Sequence, residues 1–148
     1  MKALLLAAGK GERFYPFNSY RAKPMFPVCN RPLLAWLVDS VVSSGITDIG
    51  IVIGWQDGSV RSHFGDGTRF GCDFTYIDQP TPTGTADAVV CARDFIGDEP
   101  VLVVLGDLYL PDDALPAVCQ ACDKDGENGV AATLEVENIS EKTRVKID

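Results

Sequence analysis

The sequence predicts an α/β fold: a mostly parallel sheet with helices on both faces. Three observations predict it. Short apolar runs of strand length recur at Lys2 to Ala7, Ile49 to Ile53 and Val101 to Leu105. Segments with helical apolar spacing alternate with them. Glycine, proline and aspartate punctuate the joins. Strands buried on both faces read as unbroken apolar runs, and their alternation with helices is the pattern of β–α–β units.

The elements follow in order. Lys2 to Ala7 is a buried strand closed by Gly9. Gly9 to Asn30 is a long polar loop holding Pro16, Pro24 and Pro27, and a loop of that length without its own secondary structure is usually functional. Asn30 is expected to cap a helix with Pro32 in its first turn, Leu33, Leu34, Leu37, Val38, Val41 and Val42 on one face, and Gly45 at its end. Ile49 to Ile53 is a strand and Ser59 to Phe64 a short helix stopped by Gly65. Cys72 to Ile77 alternates as a strand, and Gln79 to Thr85 is a loop that its prolines keep out of a helix. Ala86 to Phe95 reads as one helix, Val101 to Leu105 as a strand closed by Gly106-Asp107, and Leu115 to Asp123 as a helix. Val130 to Val136 is expected to be a strand, with another opening at Val145 to Ile147.

The 148 residues carry a net charge of −8, and 46% are hydrophobic. That is the composition of one folded domain, residues 1–148, and not of a disordered or fibrous chain. The acidity argues against nucleic acid as a partner, because backbone binding needs a basic face. No apolar run approaches a membrane span. The apolar start is followed at once by Gly9-Lys10-Gly11-Glu12-Arg13, which does not read as a signal peptide, so the cytoplasm is the expected location. Five cysteines without a secretory signal suggest free thiols.

Ligands of open parallel sheets bind beyond the carboxyl ends of the strands. The loops after Ala7, Ile77 and Leu105 leave the sheet there. In the first, Gly9 and Gly11 let the backbone approach a phosphate, and Lys10, Arg13, Arg21 and Lys23 add positive charge. It lacks the Gly-Lys-Ser/Thr of a P-loop and the third glycine of a dinucleotide fingerprint. Pro24 and Pro27 pin the backbone beside Lys23, which aims that lysine.

Leu6-Ala7-Ala8-Gly9-Lys10-Gly11-Glu12-Arg13-Phe14-Tyr15-Pro16, then Lys23-Pro24-Met25-Phe26-Pro27-Val28 and Arg31-Pro32-Leu33, resembles the opening of sugar-phosphate nucleotidylyltransferases. These nucleoside-diphosphate-sugar pyrophosphorylases include glucose-1-phosphate thymidylyl- and uridylyltransferases and N-acetylglucosamine-1-phosphate uridylyltransferases. The resemblance continues through Tyr76-Ile77-Asp78-Gln79, Gly84-Thr85-Ala86-Asp87-Ala88 and Gly106-Asp107, in the family's order. It implies a three-layer, Rossmann-like nucleotidyltransferase fold that makes a nucleotide sugar from UTP or dTTP and a sugar 1-phosphate, releasing pyrophosphate, with Mg²⁺ as cofactor. It implies that Leu6, Ala7, Ala8 and Gly9 line the base and ribose pocket. Lys10, Gly11 and Arg13 would hold the triphosphate, and Lys23 would reach the reacting phosphates, Arg13 and Lys23 being the catalytic pair. Gln79 and Gly84, with Thr85 beside them, would read the base edge, and Asp107 would bind Mg²⁺. The chemistry suits these roles: a glutamine amide offers a donor and an acceptor to the imide of uracil or thymine, and magnesium takes many of its ligands from phosphates and water.

Two departures stand out. Glu12 replaces the family's Thr or Ser, and must point away from a triphosphate or bind a cation. The Glu-Lys-Pro segment and second metal-binding aspartate of the family's later half are absent after Asp107, so the chain is expected to be a C-terminally truncated part of a longer enzyme. The rival reading is a catalytically silent module of the same fold that binds nucleotides or nucleotide sugars. A cytidylyl- or molybdopterin-type nucleotidyltransferase shares the glycine loop, but the Gln79 to Thr85 segment favours the sugar-phosphate branch. The sequence leaves the oligomeric state open, a homo-oligomer included. Cys119 and Cys122 read as partly buried helix cysteines, His63 as a surface helix residue and Trp36 as core. Trp55 could flank the pocket, and Asp123 to Asn128 reads as a solvated loop.

Overall fold

The computed structural model describes residues 1–54, 57–81 and 83–125. The chain runs β1 (Lys2–Leu6), β2 (Pro27–Val28), β3 (Arg31–Pro32), α1 (Leu33–Ser43), β4 (Asp48–Ile53), α2 (Asp57–Phe64), β5 (Asp73–Asp78), α3 (Thr85–Cys91), α4 (Arg93–Ile96), β6 (Val101–Leu105) and α5 (Ala114–Asp125). The main sheet has the order β5-β4-β1-β6 and is parallel throughout. Leu4 sits in register with Gly50 on one side and Val103 on the other.

Side chains alternate across a strand, so each strand feeds two cores. Ala3 and Leu5 of β1 pack with Leu34 and Val38 of α1, Val60 and Phe64 of α2, and Leu115 of α5. Leu4 points the other way, to Val52, Ala88 of α3 and Ala92, with Phe95 and Ile96 of α4 around them. This gives the expected three layers. The chain steps outward from β1 through β4 to β5, then crosses back to lay β6 on the far side of β1. The exits of β1 and β6 both lead to helices on the Leu5 face and that of β5 to a helix on the Leu4 face, so the two faces part at the carboxyl ends of the strands, where open parallel sheets bind their ligands.

Several local expectations are corrected. Asn30 does not cap α1, whose N-cap is Pro32. Cys29 and Asn30 have φ of 49° and 62° and turn the β2–β3 hairpin between Val28 and Arg31. Asparagine is favoured at a helix cap and in left-handed hairpin turns alike, and the backbone pairing decides here. The long loop is also more structured than expected, with that hairpin and short 3₁₀ turns at Glu12–Phe14, Phe17–Ser19 and Lys23–Met25. The Ala86 to Phe95 helix breaks at Ala92, which lets Phe95 lie over Gly50.

Trp36 is half-buried on the flank of α1, not in the core: its indole N–H donates to the Val28 carbonyl (3.0 Å), and its ring meets Arg31 and Tyr109. The end of α1 follows expectation. Gly45 (φ 85°) donates to Val42 and Ile46 donates to Val41, the double bond of a Schellman motif. Trp55, the expected strands beyond residue 129 and residues 126–128 of the expected loop lie outside the described residues, while Asp123 to Asp125, expected in that loop, instead extend α5 to Asp125. Among the described residues no helix is long and apolar enough to cross a membrane.

Candidate functional site

A cavity of about 640 Å³ opens at the carboxyl ends of β1 and β6. The exit of β1 contributes Leu6, Ala7, Ala8, Gly9, Lys10, Gly11 and Arg13 to its wall, and the following 3₁₀ turn contributes Lys23. The exit of β5 contributes Gln79, Gly84 and Thr85, and that of β6 contributes Asp107. The residues given catalytic, nucleotide-binding or metal roles from the sequence thus line one cavity, while Arg21, the fourth cation of the loop, does not line it. Glu12, Phe14, Pro24, Ala88 and Leu105 line it as well and were not foreseen as site residues.

Local conformation explains the convergence. Gly11 has φ of 60°, and a Cβ there would lie 3.3 Å from Lys23 Cβ, so glycine permits both the turn and the approach of Lys23. Phe14 N–H donates to the Gly11 carbonyl (2.7 Å), and the Asn18 amide donates to the Lys10 carbonyl (3.1 Å), which ties the basic loop to the turn behind it. Phe14 stands edge-on to Phe26, with ring centroids 4.5 Å apart. Ala22, Pro24 and Met25 are buried, so the turn that carries Lys23 is anchored on both sides. Gly106 runs against β1: its N–H donates to the Leu6 carbonyl (2.9 Å), and a Cβ would come within 2.8 Å of that oxygen. Asp107 is thereby set beside the β1 exit, where its carboxylate accepts from Lys23 Nζ at 2.5 Å.

Gln79 is the buried polar residue of the wall, 4% exposed. Its backbone N–H donates to the Ile53 carbonyl (2.7 Å), which continues the β4–β5 ladder past the strand ends. Its side-chain nitrogen donates to Asp87 Oδ2 (2.7 Å) and to the Gly84 carbonyl (3.3 Å). The amide was expected to offer both a donor and an acceptor to a ligand. Its donor is instead spent on the protein, and Oε1 is what remains to offer. Gly84, at φ 132°, bends the chain into α3 in a conformation that side chains resist. Hydrogen bonds from Gln79 and Thr83 hold the Asp87 carboxyl below its ordinary range. The sequence signal for Asp87 was its spacing of eight residues from Gln79 across a loop, which only the fold turns into contact.

Three cations (Lys10, Arg13, Lys23) face two carboxylates (Glu12, Asp107) around this cavity, an excess of positive charge within a chain of net −8. Such a wall attracts an anion, and the glycine loop exposes backbone to it. Among the described residues no group of three or more His, Cys, Asp or Glu could hold a metal. A lone part-exposed carboxylate such as Asp107 fits magnesium only in the mode where water and ligand phosphates complete the shell. Cys119 and Cys122 are half-buried in α5. His63 is half-buried and lies with Asn30, Arg31, Asp39 and Arg69 in a separate depression of about 430 Å³.

The family model described as nucleotidyl transferase matches residues 2–144. Glucose-1-phosphate thymidylyltransferase of Streptomyces antibioticus is 41% identical over 110 residues, covering 74% of this chain and 31% of that protein. UTP–glucose-1-phosphate uridylyltransferase of Bacillus subtilis is 31% identical over 162 aligned positions, covering 95% of this chain and 55% of that protein. The crystal structure of a glucose-1-phosphate thymidylyltransferase from Bacillus anthracis, in complex with a sucrose, superposes with a TM-score of 0.77 at 35% identity, covering 84% of this chain and 51% of that one. The chain thus spans between 31% and 55% of the length of the relatives compared.

Proposed function

The chain belongs to the nucleotidyl transferase family, and from that premise we propose that its cavity binds UTP or dTTP and transfers the nucleotidyl group to a sugar 1-phosphate. The observation that carries this reading is the convergence of Lys10, Arg13, Lys23 and Asp107 with the buried Gln79 on one cavity wall. The thymidylyl- and uridylyltransferase relatives support a pyrimidine triphosphate.

The chemistry needs no nucleophile from the protein. A phosphate oxygen of the sugar 1-phosphate forms a bond to the α-phosphorus, in line with the bond to the bridging oxygen that breaks. Pyrophosphate leaves with the electron pair. The barrier falls through positioning and through neutralising the charge that builds on the phosphates. Leu6 to Gly9 form the floor under the base and ribose, and Lys10 and Gly11 receive the phosphates. Arg13 and Lys23 meet the developing charge, which requires Lys23 to leave Asp107. Magnesium held through Asp107 would add charge neutralisation once Lys23 has moved. A silent binding module has no need of Arg13, Lys23 and Asp107 together, which disfavours that alternative.

The test is pyrophosphate release from dTTP or UTP with glucose 1-phosphate. Lys23→Ala should lower kcat by about one hundredfold or more, the scale of a single electrostatic donor. Unchanged turnover in that variant would overturn its role.

A further inference from the structure

We propose that Asp87, which lies outside the cavity wall, sets the base preference of the site by fixing which way round the Gln79 amide stands. The inference rests on the nucleotide-binding reading above and adds a specificity-determining residue to it. A buried amide is directed by its neighbours. On one side of the Gln79 amide are the Asp87 carboxylate and the Gly84 carbonyl, 2.7 and 3.3 Å from Nε2. A carboxylate and a carbonyl only accept hydrogen bonds, so the two amide hydrogens must face them. The reversed amide would set Oε1 against a charged oxygen and a carbonyl, and the buried Gln79 side chain would lose both hydrogen bonds. The Gly84 carbonyl alone offers one neutral acceptor at long range, and it is Asp87 that makes the orientation one-sided. Asp87 is itself held, because Thr83 donates to it and the same bonds keep it ionised.

Gln79 therefore meets a ligand with Oε1, an acceptor. Uracil and thymine present a donor at N3 and match it. Cytosine presents a bare acceptor nitrogen at N3, and the two lone pairs would repel. Without Asp87 the amide could turn over and serve either base. Selection of the imide against the amidine would then be set one residue behind the wall, by a side chain that never touches the base. Asp87 is a positioning residue, and its signature is a ratio of affinities rather than an affinity.

The experiment titrates the 148-residue chain with UTP, dTTP and CTP by calorimetry, in the wild type and in Asp87→Asn, Asp87→Ala and Asp87→Glu. Wild type should favour UTP and dTTP over CTP by about tenfold or more, the scale of one mismatched buried hydrogen bond. In Asp87→Asn the new amide can donate to Oε1, and the preference should shrink to about threefold or less on the same scale. Asp87→Ala should shrink it likewise, and alanine suits the helix, so loss of folding does not decide the outcome. Asp87→Glu, which keeps the carboxylate, should restore most of the preference. An unchanged ratio in both Asn and Ala variants, with wild type selective, would overturn this inference alone. Saturable binding of none of the three nucleotides by wild type would overturn the nucleotide reading, and this inference with it.

Discussion

Replacing Asp107 by Asn should move two readouts in opposite directions. Lys23 Nζ lies 2.5 Å from Asp107 Oδ2, with the two side chains 41% and 34% exposed. Pairs so open to solvent are screened, and they stabilise a fold by about 1 kcal/mol or less. A triphosphate that recruits Lys23 must first break this pair, and it also approaches the Asp107 charge. Asn removes both costs. Magnesium-free dTTP should then bind more tightly, by up to about fivefold, which is the factor that ~1 kcal/mol represents. The melting temperature should fall by less than about 4 °C, the shift expected for that energy in a chain of this size. Turnover with magnesium should instead drop by about one hundredfold or more, because the carboxylate that would hold the ion is gone. Calorimetry with dTTP in EDTA, beside a pyrophosphate-release assay in magnesium, reads both. Unchanged or weaker metal-free binding in Asp107→Asn would refute the reasoning that Lys23 is held in reserve by Asp107.

Two further outcomes follow from the packing and the charges. A Cβ at Gly50 would lie 2.7 Å from Phe95 Cε1 and 3.0 Å from Ile77 Cδ1. Gly50→Ala should therefore destabilise by about 1–3 kcal/mol as Phe95 is displaced, and Gly50→Ala with Phe95→Leu should recover part of that loss in thermal melts. Burial, then the positive charges of Arg69 and Arg31, push the His63 pKa below its usual 6.5, while Asp39 faces the same depression. A base with a depressed folded pKa is protonated first in the unfolded chain. Its stability contribution is complete above the usual value and lost as pH falls through it. Melting temperature should decline between pH 7.5 and 5.5, and His63→Gln should flatten that decline; the same slope in both proteins would contradict the assignment.

The apolar runs at Lys2 and Ile49 announced parallel strands because a strand covered on both faces tolerates little else, whereas the Val101 run buries only one face among the described residues and exposes Val103 and Leu105 on the other. The site was legible for a related reason. The glycines, prolines and cations after β1, the Gln79 loop and Asp107 are all confined to strand exits, and the strand order β5-β4-β1-β6 brings those exits together. What escaped the sequence was settled by contacts between distant residues. Asn30 suits a helix cap or a left-handed turn, and only the pairing of Val28 with Arg31 chooses between them. The break at Ala92 carries neither glycine nor proline, and it follows from how α4 meets the sheet over Gly50. The Gln79 amide looked available in both of its capacities until Asp87 claimed its nitrogen. A side chain's chemistry is read from its type, but the part of it left for a ligand is read from its neighbours.

The most direct test of the central claim is an NMR titration of the 148-residue chain with dTTP. The account predicts saturable amide shifts at Leu6 to Arg13, Lys23, Gln79, Gly84, Thr85 and Asp107, residues that share the cavity at the ends of β1 and β6. Shifts centred instead on Arg31, His63 and Arg69, or no saturable shifts at all, would contradict it.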